Sequence, residues 1–319
     1  MKTLLRWAGY GLAGIVALAL LAGAAVFVQS ERVLRRTYDA PAATFAGAPA
    51  ALSGARATAD AGAAATGRLR VAPLDPTSDG YAEVVVDPAV LAEGERLARI
   101  RGCYGGCHGR ELEGGVFFDE PRLARVVAPD LTRVVRTHSD AELDRVIRHG
   151  VRQNGRSTLA MPSSMFYHLS DADLAAIIAF LRSRPATDGP GAEIQARSLG
   201  RLGIALGQFP MQVPQIEQLG PRMDVPPGDT LALGRYLAVT VCSECHGLDL
   251  RGDPSGSPPD LRIAAAFSAE DFAQLMRAGT GLGGRELGLM KDVALGRFAY
   301  LTDDEVAALH AYLSTLAVD

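Results

Sequence analysis

The chain has 319 residues, 48% hydrophobic and 21% charged, with a formal net charge of -4 and a pI near 5.9. That is long enough for two domains of about 100 residues plus a tether and a linker, and the composition is ordinary for folded domains. The slightly acidic balance argues against a phosphate-backbone partner, because nucleic-acid binders usually carry a basic face, so no nucleic acid is expected.

The first element is a run of 21 uncharged residues from Ala8 to Val28, preceded by Lys2 and Arg6. A helix of that length spans a bilayer core of about 30 Å. Residues 1–36 therefore read as a membrane anchor with its helix over about 8–28. A cleaved signal peptide is the alternative, with Ala22-Gly23-Ala24 as its A-x-A site, but that site would sit inside the apolar run. Arg32, Arg35 and Arg36 follow the run and weaken the positive-inside signal, so charge alone leaves the orientation open. Residues 37–86 come next, rich in Ala, Gly and Pro over 40–66 and without an apolar period. They read as a spacer, with a reach of roughly 35–40 Å if flexible, the alternative being that part of the segment packs on the first domain.

Two similar segments follow, at 87–185 and 228–317. His108 to Gly114 matches His246 to Gly252, and Pro129-Asp130-Leu131 matches Pro259-Asp260-Leu261. Residues 139–150 match 268–279, and 166–183 match 298–315. Two copies of one small fold are implied, a pair of domains and not a solenoid. Each copy reads as helical. Ser139 with Glu142 and Thr302 with Glu305 are capping boxes, and Ser170 with Asp173 and Ser268 with Asp271 are weaker ones. Leu174, Ile177, Ile178 and Leu181 form a helical stripe that Val306, Leu309 and Leu313 repeat. Gly150 and Gly279 stand where a helix C-cap glycine belongs. Helices are expected ahead of the cysteines at about 91–100 and 231–239, and no strand pattern of comparable strength is present. The expected fold is mainly α, an N-terminal transmembrane helix followed by helical domains at 87–185 and 228–319, with a linker at 186–227.

The four cysteines carry the chemistry. Cys242-Ser243-Glu244-Cys245-His246 is a C-x-x-C-H motif of the kind that attaches haem covalently. Thiols on adjacent turns reach the two vinyl groups, and the following histidine turns a ring nitrogen onto the iron. The first copy, Cys103-Tyr104-Gly105-Gly106-Cys107-His108, has one residue more between its cysteines, and Gly105-Gly106 supplies the backbone freedom to loop it out. Disulfides, a zinc site or a thiol-redox pair are the competing readings. None explains why His-Gly follows both pairs. Two covalently bound haem c groups are expected, held by Cys103, Cys107, Cys242 and Cys245, with His108 and His246 as axial ligands. Because covalent haem is attached outside the cytoplasm, the haem domains are expected on that side.

Each iron needs a sixth ligand or stays open for catalysis. Met161 lies 11 residues after Gly150 and Met290 lies 11 after Gly279, both ahead of the final helix of their copy. Soft thioethers at equivalent places read as distal ligands, while Met165, without a methionine counterpart, reads as core. His138, His149, His168 and His310 have no duplicate and read as surface or core residues. Arg156 and Arg285, each five residues before its methionine, could pair with haem propionates or be solvated.

Both copies resemble class I cytochrome c domains, with a helix, C-x-x-C-H, a Met-Pro loop at Met161-Pro162 and a final helix. The whole is similar to the membrane-anchored dihaem cytochromes c of bacteria. Met290 departs from that pattern in being followed by Lys291 instead of proline. The resemblance implies a single-pass inner-membrane protein with periplasmic haem domains whose haem edges face one another. It also implies redox protein partners, a donor and an acceptor such as a dehydrogenase or a terminal oxidase. Residues 186–227 read as a linker packed in the groove between the domains, with a docking surface as the alternative. An electron carrier that does no substrate chemistry is the expected function. A dihaem peroxidase-like enzyme and the relay or docking subunit of a dehydrogenase or oxidase complex are the competitors, and methionines at both distal places count against the enzyme.

Overall fold

The computed structural model describes residues 2–39, 45, 55–58, 68–73 and 82–317; the remainder of the segment read as a spacer, with residues 318 and 319, lies outside the described residues. Helix α1 runs from Lys2 to Arg35, about 50 Å at 1.5 Å per residue. Its Gly9–Arg35 stretch contains an 18-residue window of mean hydropathy 2.5 and is long and apolar enough to cross a membrane. The chain leaving it is fixed at once, since the Tyr38 N–H donates to the Gly155 carbonyl at 2.8 Å and Thr37 bridges to Arg156. Within the supposed spacer, β1 (Ala55–Thr58), β2 (Arg68–Pro73) and β3 (Ala82–Val85) form an antiparallel sheet, and Phe45 is buried against Arg148. These parts of the segment are built structure.

The first helical unit begins with α2 (Pro88–Ile100), whose start combines proline at the first position with an Asp87 side chain accepting the Ala89 N–H. It continues through α3 (Leu131–Thr137), α4 (Asp140–Ile147), α5 (Ser163–Phe166) and α6 (Asp171–Ser183). Ser139 and Glu142 form the expected capping box at α4, and the Ser170 hydroxyl accepts the Asp173 N–H at α6. A second antiparallel sheet, β4 (Gly115–Glu120), β5 (Ala124–Ala128) and β6 (Glu193–Ala196), lies on this unit. It has no equivalent in the second copy, where Gly252 and Pro259 stand 7 apart while Gly114 and Pro129 stand 15 apart. Its first strand exposes Val116, Phe117 and Phe118 in succession, so no alternation marks it.

The segment between the copies packs on the first unit and on α1. It contributes β6, then α7 (Ser198–Ala205) against α1 and α8 (Gln212–Ile216) against α5. The second unit comprises α9 (Thr230–Leu237), a wider π-type turn (Ala238–Cys242), α10 (Ser243–His246), α11 (Ala269–Ala278), α12 (Leu289–Gly296) and α13 (Asp303–Thr315). Thr302 and Glu305 form the capping box at α13, and Gly279 ends α11 in the left-handed conformation.

In each unit the first helix crosses the last at a glycine. A Cβ on Gly94 of α2 would stand 2.0 Å from the Ala176 carbonyl oxygen of α6, and one on Gly234 of α9 would stand 2.1 Å from that of Ala308 on α13. Ala176 and Ala308 are equivalent positions of the repeat, so the same close approach is built twice. Buried side chains of both units, among them Leu97, Ile100, Leu174, Leu237 and Leu309, form one continuous core. Gly94→Ala and Gly234→Ala are therefore each expected to lower the unfolding free energy by about 1–3 kcal/mol through overpacking against backbone. Gly220→Ala, with nothing within 4 Å, should change it by less than about 0.5 kcal/mol. Denaturant unfolding of the three variants checks this.

Candidate haem-binding site

Each cysteine motif emerges from the C-terminal end of a unit's first helix, but by different routes. In the first copy α2 stops at Ile100 and left-handed Gly102 turns the chain, the Cys103 and Tyr104 N–H groups both reaching back to the Ala98 carbonyl. The Cys107 N–H then donates to the Gly102 carbonyl at 2.8 Å, closing a loop around the additional residue. The two central glycines serve it differently. Gly105 is left-handed at φ +70°, and a Cβ on Gly106 would stand 2.4 Å from the Gly102 oxygen. In the second copy α9 widens into the π-type turn, and Cys242 to His246 continue into the short α10.

The two histidines are held alike. His108 Nδ1 lies 2.9 Å from the Pro129 carbonyl oxygen and His246 Nδ1 lies 2.8 Å from that of Pro259. A carbonyl only accepts, so Nδ1 carries the proton and the Nε2 lone pair of each ring is left free to bind a metal. Burial pushes the pKa of both imidazoles down, which keeps them neutral. The surrounding loop is copied as well. The histidine carbonyls accept the Gly114 and Gly252 N–H groups at 2.8 Å, and buried Leu112 and Leu250 are both left-handed, at φ +70° and +60°. A left-handed leucine is strained, and the duplicated hydrogen bonds hold both in place. Pro129 and Pro259 stood out in the sequence only as matching residues; their repetition was the available sign of a role played by the backbone.

A cavity of about 180 Å³ opens in the first unit and brings Cys103, Cys107, His108 and Met161 together in one lining, with Pro162 beside them. Its walls are overwhelmingly apolar. Two cations stand in them, Arg101 and Arg152. Buried nitrogens of both lack partners, Nε and one terminal nitrogen of Arg101 and Nε of Arg152. An apolar chamber with a free imidazole nitrogen, a thioether, two thiols and unpaired guanidinium nitrogens fits a flat apolar macrocycle bearing iron and carboxylates. Arg156 and Arg285 are not among the lining residues; Arg156 instead bridges to the chain leaving α1. In the second unit Met290 is half-buried on α12 and packs on the core that Cys242 also meets.

The other readings of the cysteines find little support. No disulfide joins any of the four. Burial pushes Cys103 and Cys107 up to about 11, Cys242 up to about 12, and Cys245 also upward, opposite to the shift that activates a redox thiol. Among the described residues no group of three His, Cys, Asp or Glu side chains could hold a metal ion. Met165 is core. The unpaired histidines are engaged elsewhere: His138 with the Val134 carbonyl, His168 accepting the Met223 N–H, and His310 with the Phe267 carbonyl, stacked on Phe272. His149 meets the edge of the Tyr167 ring.

The two motifs adjoin. Glu244, inside the second motif, lines the first unit's cavity. Arg297, just beyond α12, donates to Glu244 at 2.8 Å and to the Ile100 carbonyl at 3.0 Å, linking the second motif to the end of α2. Nearby, buried Arg101 pairs with Asp173 at 2.9 Å, and the Tyr236 hydroxyl from the second unit donates to the same carboxylate at 2.6 Å.

Residues 91–185 and 231–317 match the family profile described as Cytochrome c, more than half of the chain in two segments. The chain belongs to the cytochrome c family. Family membership implies covalently bound haem c. The cytochrome c relatives include the alcohol dehydrogenase (quinone) cytochrome c subunit of Gluconacetobacter polyoxogenes, 27% identical over 72% of this chain. The gluconate 2-dehydrogenase cytochrome c subunit of Pantoea cypripedii is 26% identical over 72%, and the fructose dehydrogenase cytochrome subunit of Gluconobacter japonicus is 24% identical over 71%. The chain spans 56%, 60% and 52% of these relatives' lengths.

Burial pushes the Tyr236 hydroxyl up to about 12. Its folded pKa lies above the value of about 10 in an unfolded chain, so its stabilising contribution is complete below pH 10 and is lost as pH rises from about 10 to 12. Tyr236→Phe, which removes a hydrogen bond to a charged partner, should lower stability by about 1.5–3 kcal/mol at neutral pH. It should also flatten the alkaline decline, as read by denaturant unfolding across pH 8 to about 12.

Proposed function

We propose that this cytochrome c is a membrane-anchored dihaem relay, passing single electrons from the catalytic subunit of a dehydrogenase to a respiratory acceptor, with both haem units on the periplasmic side. The observation that carries the reading is the duplicated histidine clamp: two imidazoles, each directly after a cysteine pair, each tethered at Nδ1 with Nε2 free. Cys103 and Cys107 would hold one haem and Cys242 and Cys245 the other. His108 with Met161, and His246 with Met290, would be the axial pairs. A bound haem c supplies one-electron reduction and oxidation at iron, and a His/Met pair raises its potential.

The chain's own residues do the rest. The Pro129 and Pro259 carbonyls fix the tautomer and the ring orientation of the histidines. The apolar walls would suit the macrocycle of the first site, and Arg101 and Arg152 in its lining would be the cations nearest to its carboxylates. The Arg297–Glu244 bridge holds the two motifs beside one another. Thioethers at both distal places would leave no open position for peroxide, which disfavours an enzyme reading. The relay role in a dehydrogenase is supported by the names of the relatives, whose complexes act on alcohol, gluconate and fructose. Three such different substrates around similar cytochrome subunits mean that substrate choice belongs to the catalytic partner. The anchor reading is supported by α1, and the periplasmic side by the requirement that covalent haem be attached outside the cytoplasm.

Intact mass and a reduced pyridine haemochrome spectrum should give two covalent haems per chain. One haem would mean that the three-residue spacing of the first motif is not matured, and none would overturn the proposal. Met161→Ala and Met290→Ala should each lower the midpoint potential of one haem and leave the other nearly unchanged, as read by spectroelectrochemical titration. A parent protein with a high-spin haem that binds peroxide rapidly would favour the enzyme. Isolation from native membranes should bring down a dehydrogenase catalytic subunit; a cytochrome recovered alone would favour a free carrier.

A further inference from the structure

Helix α7 turns the wrong face outward for a protein surrounded by water. Its inner side is Gly200 and Ile204, pressed so closely on the first unit that a Cβ on Gly200 would stand 2.0 Å from the Leu123 carbonyl oxygen, while Gly203 is covered by the Phe209 ring. Its outer side carries Leu199, Leu202 and Leu206 at i, i+3 and i+7, exposed by 50%, 39% and 65%, with Phe209 exposed just beyond. Four large apolar side chains on one short segment form a patch that calls for a cover.

The position of the helix says what the cover is. Arg201 lies against the end of the apolar run of α1: its guanidinium sits 4.4 Å above the Phe27 ring and bonds Ser30 Oγ at 3.0 Å and Glu31 at 2.8 Å. Phe27 and Val28 are the last apolar residues of that run and are themselves exposed. From Phe27 to Glu31 the helix rises about 6 Å. The headgroup layer on each side of a bilayer core is about 5–8 Å thick. Helix α7 therefore lies beside α1 at the level where hydrocarbon gives way to headgroups. Arg201, its head over the Phe27 ring and bonded to Ser30 and Glu31, has the posture of a cation at the border between apolar surroundings and water.

We infer that α7 is an interfacial helix, with Leu199, Leu202, Leu206 and Phe209 set into the outer edge of the same bilayer that α1 crosses, so that the first haem unit is held against the membrane in one orientation. This rests on the membrane-anchor reading of α1. The occupant of the patch is lipid, and a covering protein subunit is the outcome that the test must tell apart from it.

The test uses the full chain in nanodiscs of phosphatidylcholine and phosphatidylglycerol, with a spin label at one added cysteine per variant. Leu18→Cys reports on the span, Leu206→Cys on the proposed lipid face, and Gly220→Cys on an exposed loop. Collision with oxygen, which concentrates in lipid, is compared with collision with a water-soluble nickel chelate. Labels at 18 and 206 should favour oxygen and the label at 220 should favour nickel. A label at 18 in lipid with a label at 206 as open to nickel as that at 220 overturns the inference while leaving the anchor intact, and assigns the patch to a protein partner. A label at 206 shielded from both agents also overturns it, since the cover is then protein. Labels at both 18 and 206 in water overturn the anchor reading and the inference together.

Discussion

The organisation of both units depends on one hydrogen bond made twice, from a histidine Nδ1 to a proline carbonyl. To make it, the chain must return to the histidine 21 residues later in the first copy and 13 later in the second. Each return is held by backbone bonds to the histidine's own carbonyl and to a left-handed leucine. The helix that follows each proline is then capped by the adjoining aspartate, Asp130 or Asp260. The difference in loop length is absorbed outside this frame, as strands β4 and β5. The clamp thus fixes the ring that would face a metal and also the course of the chain around it.

The second constraint is electrostatic and lies between the units. Buried Arg101 comes directly before the first motif, and a buried guanidinium is tolerable only where its charge is answered. Asp173 answers it from α6, and Tyr236 closes the group from the other unit. Arg297 makes a parallel link between Glu244 and the end of α2. Together with the shared core, these links hold the two cysteine–histidine motifs in one body.

The parts that were legible in the sequence are those governed by local rules. Ser139 with Glu142 and Thr302 with Glu305 cap helices because the reciprocal bonds involve residues three apart. Gly279 is left-handed because it ends a helix. What escaped reading depends on distant partners. Gly94 and Gly234 look locally like helix penalties, and only the crossing helix shows why a side chain is barred there. The β4–β5–β6 sheet pairs an exposed insertion with residues from beyond the first unit's last helix, so neither periodicity nor neighbourhood announces it. Arg156 and Arg285 drew attention by their spacing from the methionines, whereas Arg101 and Arg152 reach the cavity wall through the fold. The Pro129 and Pro259 carbonyls are backbone atoms, which residue type does not advertise.

Glu244 belongs to one motif and lines the cavity of the other, which gives assembly a direction in time. It follows His108 by 136 residues. At ordinary rates of synthesis, about 5–20 residues per second, Glu244 is made roughly 7–27 s after that histidine. Through that interval Cys103 and Cys107 can be approached from the side that the second copy later covers. The order of the two copies along the chain thus leaves the first site open while it is young and closes it when its neighbour arrives.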